Sequence, residues 1–227
     1  MEWVRIQQSI VACQRCPRLR KYCRAVAAEK RPAFREQTYW GKPVPNFGSP
    51  EARLLIVGLA PAAHGANRTG RMFTGDRSGD FLFAAMHAEG FANQPTSVSA
   101  DDGLELIDAA ITAIIHCAPP ANKPTPGEIA NCVIHFSRTV DAMPNLRGFL
   151  ALGKIAFDGC VRMFIERGWI EKANRPVFAH GASYRAPGRP FLLACYHPSQ
   201  QNTFTGKLTA PMMRQVFATA RAKLDRS

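Results

Sequence analysis

No stretch of the chain reaches the roughly 18 consecutive apolar residues that a membrane-crossing helix needs; the longest runs are short and broken by Gly or charge. The N-terminus, MEWVRIQQSI, lacks the apolar core of a secretory signal, which sets the expectation of a cytoplasmic protein with no membrane partner. Internal repeats and low-complexity tracts are absent. Acidic residues are scarce: 17 Asp and Glu stand against 29 Lys and Arg, a net charge of +12. A compact chain this basic favours a polyanionic partner, most often nucleic acid, although a compositional bias toward Arg gives the same number.

What is present is globular. Hydrophobic residues at 46% and charged residues at 20% exclude disorder as the main state. A chain of 227 residues buries roughly 70% of its unfolded surface and needs no disulfide scaffold. The expectation is one domain over 1–227. Seven cysteines in a chain read as cytosolic then point to metal or redox chemistry.

Four apolar runs read as buried parallel strands: Arg53–Gly58, Ala109–Ile115, Phe149–Leu152 and Phe191–Cys195. Helical spacing occupies the intervals Gly79–Gly90, Thr125–Val140, Lys154–Arg167 and Thr209–Leu224. Alternation of this kind defines an α/β fold, a three-layer α/β/α sandwich around a mainly parallel four-stranded sheet. Ahead of it, a basic segment with Cys13, Cys16 and Cys23 leads into a Gly- and Pro-rich connection over 41–50.

Ligands of such sheets sit beyond the carboxyl ends of the strands, and three unusual loops fall there. The first follows strand one: GLAPAAHG, then NRTGRMFTGD, ending at Asp76. Backbone N–H groups of its Gly58–Ala60 turn are placed to receive a ligand carbonyl, and no Gly-Lys-Ser/Thr follows, which excludes a Walker A loop. The second, HCAPPANKPTP, holds Asn122 between prolines. In the third, YHPSQQNTFTGKLT, His197 leaves a buried strand for a polar loop. Each loop alone also reads as a plain connection; together, at one sheet edge, they read as a site.

In this order the loops resemble the uracil-DNA glycosylase superfamily, and specifically its family 5, or type b, iron–sulfur branch, over nearly all of residues 9–217. The resemblance implies a monofunctional enzyme that flips uracil out of DNA, hydrolyses its N-glycosidic bond and so starts base excision repair. Its partner would be double-stranded, and also single-stranded, DNA containing deaminated bases, and the enzyme a monomer. Leu59 and Ala60 stand where other branches place a polar group in the first turn, as type b members do, and catalysis is there associated with the position of Asp76. His197 would face the base O2, Asn122 a water or the base, Gly58, Leu59 and Ala60 the base through their backbone, and Phe73 its ring face. Phe73 serves equally well as packing for the loop. Asn202, with Gln200 and Gln201, belongs to the segment implied to enter the duplex, and Arg68, Arg71, Lys123 and Lys207 are candidate phosphate contacts. Ala113 stands where type a relatives carry an Asn that reads uracil, which implies a broader range including hypoxanthine. Ala66 and Met72 depart from the expected Gly and Pro.

The same resemblance makes Cys13, Cys16, Cys117 and Cys132 the ligands of a [4Fe–4S] cluster through which the segment over about 1–50 packs on the domain. Zinc on the same four thiolates stays open. Cys23 is read as a free thiol, and Cys160 and Cys195 as core residues. Two other functions remain open: an iron–sulfur electron-transfer protein, and a catalytically weak DNA-binding relative.

Overall fold

The computed structural model describes residues 2–226. The chain opens with helices α1 (Glu2–Val11) and α2 (Pro17–Glu29), then the two-residue strand β1 (Phe47–Gly48) and strand β2 (Leu54–Gly58). A one-turn helix α3 (Ala66–Thr69) and helix α4 (Arg77–Ala88) lead to β3 (Ala109–Ala113), α5 (Pro126–Asp141), β4 (Gly148–Leu152) and α6 (Lys154–Glu166). Strands β5 (Ser183–Tyr184) and β6 (Phe191–Cys195), the short α7 (Gln200–Phe204) and α8 (Ala210–Leu224) complete it.

The sheet has six strands in the order β1-β3-β2-β4-β6-β5, not four. The inner β3-β2-β4-β6 set is parallel, and the two-residue β1 and β5 add antiparallel edges. The expected four strands are the inner four, shifted by at most two residues. Arg53 stays outside the ladder because its backbone N–H goes to the Asp108 carboxylate at 3.0 Å. Beyond β3, the N–H groups of Ile114 and Ile115 still bond to Gly58 and Leu59, at 3.0 and 2.9 Å.

Alternation along each strand builds two cores, one on each face of the sheet. Leu54, Ile56, Leu150, Leu152, Phe191 and Leu193 face the layer of α4 and α8. Leu55, Val57, Phe149, Ala151, Leu192 and Ala194 face α5 and α6. Both faces are covered, which is why the strands read as unbroken apolar runs.

The N-terminal helices, to which no secondary structure was assigned from the sequence, are bound to the sheet by polar side chains. Asn46 exchanges two hydrogen bonds with Gln7 of α1, donates to Thr139 of α5 at 2.9 Å and accepts from Thr112 of β3 at 2.6 Å. Arg18 of α2 grips both carboxylate oxygens of Glu128 at 2.8 Å, and Glu128 closes a capping box with Thr125 at the start of α5.

Candidate active site

All three loops emerge at the carboxyl edge of the parallel strands. Gly58 ends β2 and pairs with Ala113, the last residue of β3, so the turn and the end of β3 lie side by side. A Cβ on Gly58 would stand 3.0 Å from the Phe73 ring; the glycine is what lets that ring lie over the strand end. Phe73 itself has φ +53°, a left-handed conformation that costs a non-glycine residue energy. It is held there by Gly79, whose missing Cβ makes room for the Phe73 carbonyl. On its other side the Phe73 ring meets the His197 ring, centroids 6.0 Å apart and tilted by 33°.

His197 follows β6 and packs against Gly153, where φ is +93° and a Cβ would reach 3.2 Å from the His197 Cβ. Burial lowers its pKa to about 4, so at neutral pH it is an uncharged imidazole. Asn202 does not project toward a ligand: its side-chain amide donates to the His197 carbonyl at 2.8 Å and fixes the backbone that carries the imidazole.

Asp76 caps α4, its Oδ1 accepting the backbone N–H of Ser78 at 2.9 Å and of Gly79 at 3.2 Å. The second oxygen lies against Gly65, where a Cβ would collide with it. Desolvation raises its pKa above the ordinary carboxylate value, opposed by the two cap hydrogen bonds. Position 76 thus carries a half-buried carboxylate fixed by its own helix, within the loop that carries Phe73. Asn122 follows Ala121 in the left-handed region, with φ of +56° and +53°, and both are exposed, as is Lys123.

Two expected phosphate contacts are interior side chains. Arg68, 7% exposed, bonds to the carbonyls of His64 and Gly75 at 2.8 and 2.7 Å and lies over the Phe34 ring. Arg71, 6% exposed, binds both oxygens of Asp102 at 2.8 Å, together with Ser97 and Thr74. Their guanidinium groups hold the first loop in shape and are not free for DNA. Ala66 and Met72 are buried beside them, filling the core under the loop.

Gln200 and Gln201 are exposed at the start of α7, and Lys207 is exposed with its ammonium 4.9 Å from the Tyr196 ring. Sequence reasoning passed over two residues here. Phe204 ends α7 67% exposed, and the guanidinium of Arg77 lies 5.3 Å from its ring centre. Arg77 is the residue after Asp76, so this pair joins the first loop to the third across the mouth of the site. An exposed Phe five residues beyond the N-cap of α7 was the available signal.

Cys13, Cys16, Cys117 and Cys132 line one small cavity of about 20 Å³, with Leu19, Ile115 and Pro43 among its walls. Among the described residues no three His, Cys, Asp or Glu side chains converge as a site for a single ion. Arg20 Nε and both ring nitrogens of His135 are buried without a hydrogen-bond partner, and both residues line this cavity. His116 donates through Nδ1 to the Val44 carbonyl at 2.7 Å and leaves Nε2 unpaired in the same wall. Cys23 is fully buried and bonds to the Ala118 carbonyl at 3.6 Å. Cys160 and Cys195 are core residues; burial pushes the Cys160 thiol far up and the Cys195 thiol up to about 12.

Comparison with known proteins places this edge in context. The model of the uracil DNA glycosylase superfamily matches residues 45–221, and the chain belongs to that superfamily. It is 48% identical over 213 residues to the type-5 uracil-DNA glycosylase of Mycobacterium tuberculosis, covering 93% of this chain and 78% of the relative. With the type-5 uracil-DNA glycosylase of Thermus thermophilus it shares 46% over 214 residues, 94% of each chain. A type-4 uracil-DNA glycosylase of Archaeoglobus fulgidus is 28% identical over 159 residues. Within the superfamily the chain is therefore of the type-5 group.

Proposed function

We propose that the protein is a monofunctional uracil-DNA glycosylase that hydrolyses the N-glycosidic bond of a flipped uracil. The observation that carries the reading is a half-buried, uncharged His197 whose ring lies beside that of Phe73 at the carboxyl edge of the sheet, in a chain of the type-5 group. Breaking the bond puts negative charge on the base and positive charge on the sugar. A neutral imidazole N–H, with the backbone amides of Gly58, Leu59 and Ala60, stabilises the anion as it forms. Phe73 supplies the stacking surface for the base. Asp76, already oriented by its cap bonds, stabilises the sugar cation through its carboxylate and orients the water. Asn122, exposed on its rigid loop, is positioned to contact that water or the base. Ala113 offers no side-chain amide to test the base edge, so hypoxanthine is also a substrate.

The substrate is duplex DNA, with single-stranded DNA also accepted, and the enzyme acts as a monomer. Gln200, Gln201, Lys123 and Lys207, all exposed around the site, are its DNA contacts. The four cavity cysteines are read as the ligands of a [4Fe–4S] cluster. The residues fit that group: Arg20 Nε–H can only donate, and His135 has a buried ring N–H, so both need an acceptor such as cluster or thiolate sulfur. When bound, the cluster supplies a covalent tie between the 1–50 segment and the sheet. A duplex with one uracil, treated with the protein and then alkali, tests the function. Strand scission at the uracil supports it, and intact strands at excess enzyme refute it.

A further inference from the structure

Positive charge is unevenly distributed along this chain. Residues 1–50 hold ten Lys and Arg against three Glu, seven of the twelve net charges in less than a quarter of the sequence. Helix α2 carries no acidic residue in its first turn, although the helix dipole favours one there; it has Arg18 and Arg20 instead. Helix stability does not account for that placement. Arg18 is paired with Glu128 and Arg20 is buried. Arg15, Lys21, Arg24, Arg31 and Arg35 are exposed and have no ion-pair partner among the described residues.

The position of this charge matters as much as its amount. The carbonyl of Cys23 in α2 accepts from Asn67 of α3, inside the first site loop, at 3.4 Å. After α2 the chain turns back so that the Arg31 N–H donates to the Tyr39 hydroxyl, which bonds His64 Nδ1 at 3.1 Å. His64 precedes Gly65, the residue against the Asp76 carboxylate. The cationic surface therefore begins at the edge of the site and runs along the 13 residues of α2, about 20 Å. At about 3.4 Å per phosphate along one strand, that length matches roughly six phosphates.

We infer that the exposed face of α2, with the Arg31–Arg35 turn that follows it, is a second contact surface for the sugar-phosphate backbone of duplex DNA, flanking the flipped nucleotide. The proposal rests on the DNA substrate argued above and adds a partner surface outside the three site loops. It makes the N-terminal segment an electrostatic arm as well as a structural one. The contacts go to phosphate, so they raise affinity for any sequence and are sensitive to salt.

The test is fluorescence anisotropy of the full-length protein with a uracil-free duplex, across a series of salt concentrations. The Lys21→Gln, Arg24→Gln double variant should bind about tenfold or more weakly at 0.15 M salt, with a log-log salt slope shallower by about 1.8. Arg162→Gln, an exposed site on α6, serves as the control and should change neither quantity. Circular dichroism establishes that each variant is folded; should the double variant not fold, Arg31→Gln with Arg35→Gln carries the same test on the adjoining turn. A folded variant with parental affinity and slope would overturn the proposal. Uracil excision by the parent protein, measured in parallel, reports separately on the glycosylase reading.

Discussion

Asp76 does two things that one substitution can separate. Its Oδ1 caps α4 through two backbone N–H bonds, a role that Asn fills about as well as Asp. Its charge is the part assigned to the sugar cation. Asp76→Ala loses both, and Asp76→Asn loses only the charge. Losing the cap costs about 1 kcal/mol of stability. Burial already disfavours the ionised carboxylate, so Asp76→Asn should leave stability unchanged or raise it slightly. The charge is worth more to the reaction: two unit charges 4 to 5 Å apart at an effective dielectric near 20 interact by about 3–4 kcal/mol. That is a rate factor on the order of 100 to 1000. Single-turnover cleavage of uracil and of hypoxanthine, alongside thermal unfolding, reads both effects. Asp76→Asn should be as stable as the parent and slow on both bases alike. Parental rates for Asp76→Asn would refute the catalytic assignment and leave position 76 as a helix cap, with Asn122 next to be tested. The pH profile adds a check. The raised pKa makes excision fall as the solution is acidified, beginning above the usual carboxylate range.

Other consequences concern stability, metal content and DNA opening. Asn46→Ala removes the side-chain amide that bonds buried Thr112 and Thr139 while leaving the backbone bonds to Gln7 in place; unfolding in urea should show a loss of about 1–3 kcal/mol. If the cavity cysteines hold a cluster, purified protein is brown and contains iron, and Cys117→Ala loses iron while Cys23→Ala keeps it; colourless, zinc-loaded, fully active protein would contradict this. Phe204→Ala should slow excision from duplex DNA severalfold more than from a single strand, because only the duplex has a stack to open; equal losses would remove Phe204 from that step. His197 ionises near 4 in the folded chain and near 6.5 when unfolded, so between those values the unfolded state binds the extra proton. Stability should therefore fall as pH drops through that window, by up to about 3 kcal/mol from this residue, and replacing His197 should flatten the fall.

The sheet was legible because strands buried on both faces are written as short unbroken apolar runs, and all four inner strands lie within two residues of their expected limits. Helices α4, α5, α6 and α8 were legible from apolar spacing, and α5 also from Pro126 and Glu128 at its start. Strands β1 and β5 were not, since two residues carry no periodicity. Arg68 and Arg71 looked like surface charges because they stand in a polar loop. Asp102, which neutralises Arg71, lies 31 residues away, and nothing local announces that contact. For Asn202 the missed partner was five residues back, the His197 carbonyl, a bond that only the turn into α7 creates. His197 and Phe73, by contrast, were legible in place: the order of the motifs brings them to one sheet edge, where their ring centroids lie 6.0 Å apart.

The central claim is that the edge built from His197, Phe73 and the Gly58–Ala60 turn stabilises a departing uracil anion. Its most direct test is the single-turnover rate of His197→Ala on a uracil duplex at saturating enzyme, beside its affinity for the same duplex. The account predicts a rate lower by a factor on the order of 100 or more with affinity within a few-fold of the parent. A rate near the parental value would contradict it.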